Sequence, residues 1–123
     1  MITEEIKRFV LTSIDSVPHL EAILLMRQHQ EKEWNSKTLA QTLFISEKKT
    51  EGILNDLRSG NIISAHDNLF SYRPHSSELK ERIDQLADTY AKNLIEVTNL
   101  IHSKTNKQAQ QFGDAFRWQN ERD

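Results

Sequence analysis

The chain is 123 residues long, 37% hydrophobic and 28% charged, with a formal net charge of −2 at pH 7. That length suits a single domain, 1–123, whose core needs no disulfide or structural metal. The near-neutral charge removes any global attraction to nucleic acid or anionic membrane, and the absence of cysteine excludes thiolate chemistry and Cys-ligated metal centres.

Only Pro18, Pro74, Gly52, Gly60 and Gly113 interrupt the chain, so a mainly α fold is expected and each break carries information. The opening "MITEEIKRF" puts acids where a secretory signal needs a basic region, and the longest apolar stretch, "AILLM", is far too short to cross a bilayer. A cytoplasmic protein with no membrane contact is expected. Thr3 can cap an N-terminal helix within 1–15, with Glu4 and Glu5 in its first turn and Ile2, Ile6, Phe9, Val10 and Ile14 on one face.

"DSVPHL" restarts the chain: Asp15 or Ser16 can cap, Pro18 suits a first turn, and Leu20, Ile23, Leu24, Leu25 and Met26 read as core. The pattern breaks around Trp34, after which Asn35 or Ser36 can cap a short helix bearing Leu39, Ala40 and Leu43. Ile45 falls in a tight turn and Ser46 caps the next helix, whose Thr50, Ile53, Leu54 and Leu57 point one way; Gly60 is expected to supply a left-handed stop. "NIIS" and "LFSY" then read as two strands joined at Asp67 and Asn68. Pro74 ends the hairpin, Ser76 or Ser77 caps again, and a long helix is expected from Glu78 to about Ser103.

Along that helix Leu79, Ile83, Leu86, Tyr90, Leu94, Val97 and Ile101 recur every three or four residues, nearer an undistorted helix than a strict heptad. Ala87, Ala91, Ile95 and Leu100 widen the stripe beyond what one small core needs. Its cover is expected to be the first helix of the same chain, or the same elements of a second copy about a two-fold axis. The expected interface set is Ile6, Phe9, Tyr90, Leu94, Val97 and Ile101, joined by Phe112, Phe116 and Trp118 of the otherwise polar tail. Phe112 and Phe116 stand one helical turn apart, a spacing that suits either closure of a core or dimer, or docking into the groove of a protein partner.

The order is helix, short helix, turn, second helix, hairpin, carried by Leu39, Ala40, Leu43, "FIS", Ile53, Leu54, Leu57, Gly60, Ile62 and Ile63. Residues 16–75 in this order resemble the winged-helix family, a winged helix-turn-helix with a small β-hairpin wing. With an N-terminal helix before it and long C-terminal helices over 76–123, the layout also looks like the MarR or PadR type of bacterial regulator. The resemblance implies a homodimer bound to double-stranded DNA, with the helix from Ser46 to Arg58 in the major groove. Lys48 would meet guanine or phosphate and Asn55 adenine, while Lys49, Lys37 and Arg73 would hold phosphates and His66 and Asn68 would lie at the wing tip.

The same helix balances Lys48, Lys49 and Arg58 against Glu47, Glu51 and Asp56, and the wing tip "HDN" has no Lys or Arg. Those features favour the alternative of a protein-interaction module that does not bind DNA. The histidines His19, His29, His66, His75 and His102 are dispersed with no pair at metal-ligand spacing, and no phosphate loop or nucleophile elbow occurs. No enzyme activity, metal or cofactor is expected.

Overall fold

A computed structural model describes residues 2–104 of the chain. Helix α1 (Glu4–Ser13) starts where Thr3 Oγ1 accepts the backbone N–H of Ile6 at 3.2 Å. Helix α2 (Val17–Gln28) starts at Ser16, whose Oγ accepts from the His19 backbone, with Pro18 in the first turn where its missing N–H costs nothing. The two meet at a bend of 108°. Among the described residues no single helix is long and apolar enough to cross a membrane.

Leu20, Ala22, Ile23 and Met26 of α2 are fully buried, and Leu24 and Leu25 are partly so. Apolar residues therefore occupy most of its circumference, and such a helix must be wrapped by others. Against it pack α3 (Ser36–Leu43), α4 (Glu47–Ser59) and the second strand of a hairpin, β1 (Ile63–His66) and β2 (Leu69–Tyr72). The strands are antiparallel, with Ile63 opposite Tyr72 and His66 opposite Leu69. Asp67 and Asn68 join them with φ of 50° and 64°, left-handed values that these two residue types tolerate and that match the twist of a two-residue hairpin.

Trp34, where the sequence pattern breaks, is an additional one-residue strand. It exchanges backbone hydrogen bonds with Phe70 of β2 in both directions, each 2.7 Å, and its ring is buried beneath the Lys32 ammonium at 3.9 Å. The expected left-handed stop at Gly60 does not occur. Gly60 has φ −81°, and the positive φ falls one residue later on Asn61, at 64°, before Ile62 and Ile63 turn into the core.

Helix α5 (Ser77–Lys92) is capped by Ser76 and ends at Asn93, with φ −135° and ψ 48°; a further helical segment follows over 94–104. The long helix expected to run unbroken to Ser103 is thus two pieces. The break changes which apolar residues face inward. Ile83, Leu86, Val97 and Ile101 are fully buried together with Ile6, Val10 and Ile14, so α1 supplies the cover from within the chain. Of the expected interface set, Ile6, Val97 and Ile101 belong to this chain's own core, Phe9 and Tyr90 pack partly against it, and Leu94 is 53% exposed beside Ile95 at 71%. Phe112, Phe116 and Trp118 lie outside the described residues.

Arg27 of α2 and Lys80 of α5 both donate to Asp84, at 2.9 and 3.0 Å. Partial burial would raise the Asp84 carboxyl, but these two hydrogen bonds outweigh it and hold the group below its ordinary value. Nearby Tyr72 is pushed up to about 12, first by burial and then by the Asp84 charge, with Arg27 opposing. Its hydroxyl has no hydrogen-bond partner among the described residues.

The fold therefore favours neutral Tyr72, and the associated stability is present below the unfolded phenol value of about 10 and lost as pH rises through about 12. Tyr72→Phe should leave stability at pH 7 unchanged or slightly raised, because no hydrogen bond is removed, and should resist urea better than the parent at about pH 11. Paired urea titrations at the two pH values check this; a loss beyond about 1 kcal/mol at pH 7 would show that the hydroxyl is bonded.

Candidate functional site

The α3–turn–α4 unit is fixed by local chemistry at each corner. Asn35 Oδ1 accepts the Thr38 backbone N–H at 2.8 Å and Thr38 Oγ1 accepts that of Asn35 at 3.1 Å, a reciprocal cap on α3. Phe44 ends α3 in the left-handed region, with φ 58°, and the Ile45 N–H returns to the Ala40 carbonyl. Ser46 Oγ then accepts the Lys49 N–H at 3.1 Å, so this residue acts here as the helix cap. Buried Thr50 is satisfied by donating to the Ser46 carbonyl at 2.9 Å.

With Thr50, Ile53, Leu54 and Leu57 turned inward, α4 presents Lys48, Glu51, Gly52 and Asn55 to solvent. Between this face, the start of α3 and the hairpin tip lies a groove of about 510 Å³. It gathers Lys37, Asn55 and Asn68, three residues that the sequence singles out, at a common surface. Glu47 and Glu51 line the same groove, and the Ser36 hydroxyl donates to Glu47 at 3.2 Å. Two carboxylates against one ammonium make the groove itself acidic.

His66 and Arg73 are elsewhere. Strand register puts Ser64 with Ser71 and His66 with Leu69 on one side of the hairpin, and Ala65 with Phe70 on the other. His66 and Arg73 line a separate depression beside Glu33, while Phe70 faces the α4 groove. The expected contact set is therefore divided between the two sides of the hairpin.

Among the described residues the cations fall into paired and unpaired groups, and those without an ion pair include Lys7, Arg8 and Lys32 away from α4. Arg27, Lys80, Arg82, Lys92 and Lys104 each lie within 3.3 Å of a carboxylate oxygen. Among the described residues no carboxylate comes within 4.0 Å of Lys37, Lys48, Lys49, Arg58 or Arg73, the five cations of α3, α4 and the end of the hairpin. The ammonium and guanidinium groups of α3 and α4 are thus not held by ion pairs among the described residues.

Of three further features, helical spacing places Gly52 on the outward face, while the other two had no clear sequence signal. Phe44 is 93% exposed, a large ring in water at a backbone position that disfavours side chains. Gly52 sits mid-helix at the centre of the outward face, and a Cβ placed there would meet nothing within 4 Å. Finally, Asp15, His19 and Asp56 converge on the far side of α4. Asp15 and His19 are four residues apart across a helix start, but their third partner comes from another helix, which spacing does not reveal.

Comparison of the chain with protein-family models, with curated proteins and with solved structures gives no match.

A mid-helix glycine costs roughly 0.5–1 kcal/mol relative to alanine, and no neighbour within the chain requires one at position 52. Gly52→Ala should therefore stabilise the protein by about 0.5–1 kcal/mol, read as a higher midpoint of thermal unfolding. A lowered midpoint would mean that an internal contact demands the glycine.

Proposed function

We propose that the chain is a winged-helix DNA-binding protein of the transcriptional-regulator type, with α4 as the helix that enters the major groove and the β1–β2 hairpin as the wing. The order of α2, the Trp34 bridge, α3, α4 and the hairpin supports this reading. The observation that carries it is the set of four cations on α3 and α4, Lys37, Lys48, Lys49 and Arg58, that form no ion pair among the described residues, since phosphate contact requires cations free to meet it.

In this reading Lys48 and Asn55 meet base edges, and Lys49 and Lys37 hold phosphates on either side of α4. Arg73, on the opposite side of the hairpin, reaches a flanking phosphate. Gly52 removes the side chain from the middle of the reading face and allows close approach of the duplex. Two copies associate through the outward apolar side chains Leu94 and Ile95, which suits a palindromic site.

A second reading, a winged-helix module that binds a protein instead of DNA, is favoured by two specific observations. Glu47 and Glu51 line the groove, and Phe44 projects into solvent from the turn.

Fluorescence anisotropy on a duplex distinguishes the two. With about four phosphate contacts, affinity should fall roughly a hundredfold between about 50 and about 200 mM salt. Lys48→Ala combined with Lys49→Ala should abolish duplex binding, and Gly52→Ala should weaken it while stabilising the fold. Absence of binding at the lowest salt, or unchanged affinity in the double variant, overturns the DNA reading.

A further inference from the structure

The cleft where α1, α2, α4 and α5 meet has a volume of about 360 Å³ and an apolar floor that includes Phe9, Leu57 and Leu79. At its polar end, one ligand atom each from Asp15, His19 and Asp56 lies within 4.8 Å of the others. These groups come from the α1–α2 connection, from α2 and from α4.

His19 is the anchored member. Its side chain is only 13% exposed, its Nδ1 stands 2.5 Å from Ser16 Oγ, and its Nε2 stands 2.8 Å from Asp56 Oδ2. An imidazole held on one nitrogen by an outer partner, with the other nitrogen aimed at a group of oxygen donors, is the arrangement that orients a metal-ligating histidine. Asp15 and Asp56 are each more than half exposed at the mouth of the cleft, so they can turn toward an ion and leave positions for water. One imidazole nitrogen with two carboxylate oxygens is a donor set suited to divalent first-row transition metals.

We infer that Asp15, His19 and Asp56 form a binding site for a divalent first-row transition-metal ion such as Zn²⁺. Metal–ligand bonds of about 2.0–2.2 Å put donor atoms about 3 to 4 Å apart, within reach of a rotation of the Asp15 side chain. The ion takes the place of the hydrogen shared by His19 and Asp56. It also displaces Lys104, whose Nζ lies 3.0 Å from Asp15 Oδ1. Once bound, it ties the start of α2 to the C-terminal half of α4. The site does not depend on the DNA reading; its consequence for duplex binding, through the orientation of α4, does.

Isothermal calorimetry of the full chain with Zn²⁺, Mn²⁺ and Mg²⁺, without DNA, tests the site. The expected result is one Zn²⁺ per chain, bound more tightly than Mn²⁺ and far more tightly than Mg²⁺, with affinity lowered at least about tenfold in both Asp15→Asn and Asp56→Asn. Asp15→Asn leaves the His19–Asp56 contact intact, so its effect does not depend on loss of that contact. No uptake of Zn²⁺, equal binding of Mg²⁺, or parental Zn²⁺ affinity in Asp15→Asn overturns the inference. Anisotropy with and without Zn²⁺ then tests the coupling separately: a changed duplex affinity supports it, and an unchanged one overturns the coupling alone.

Discussion

The need to keep α2 out of water organises everything around it. A helix with apolar groups on most of its circumference has only a narrow face to offer solvent, here Glu21 and Gln28, so it must be enclosed by several elements at once. The enclosure comes from α3 and α4 on one side, β2 on another, and the α1–α5 pair beyond. Because the enclosing elements meet at α2, the orientation of α4 follows from how the shared core is filled by Leu20, Ile23 and Met26 against Ile53, Leu54 and Leu57.

On the outer side of α4 the physical demands conflict. The helix start carries Ser46 and Glu47, which favour helix formation, yet the Glu47 carboxylate and Glu51 lower the potential in the groove that Lys37 and Asn55 share. Apart from Lys37, the cations without an ion pair among the described residues, on α4 and at the end of the hairpin, do not line that groove. An anionic partner on this face is therefore best held at the periphery, by Lys48, Lys49 and Arg73, with neutral Asn55 and Asn68 in the middle. Under the proposed reading, such a distribution suits a chain of separated phosphates better than one compact anion, which would meet the carboxylates first.

Much of the helical framework was legible because caps and apolar spacing are local. Thr3, Ser16, Asn35, Ser46 and Ser76 each accept the backbone bond that their positions imply, and Asp67 with Asn68 form the expected turn. What escaped is non-local. A one-residue strand such as Trp34 has no periodicity, and the break at Asn93 lies in a segment of continuous helical spacing that contains no Pro or Gly. The stop near Gly60 was found in the right place but with the wrong residue in the left-handed region, because an asparagine next to a glycine can take the same role. Of the site, residue types on α4 were readable, whereas the division of His66 and Arg73 from Asn55 depends on strand register, and the Asp15–His19–Asp56 cluster depends on how α2 and α4 are packed.

The paired hydrogen bonds between Trp34 and Phe70 have a consequence for the order in which the chain folds. They close a long loop that contains α3, α4 and β1, and closing it costs entropy that only the completed contacts offset. The hairpin and the two short helices are mostly local and can form early, but Trp34 can dock only after β2 is in place. Burial of its indole therefore depends on closure of that loop, a contact separate from the meeting of α1 with α5.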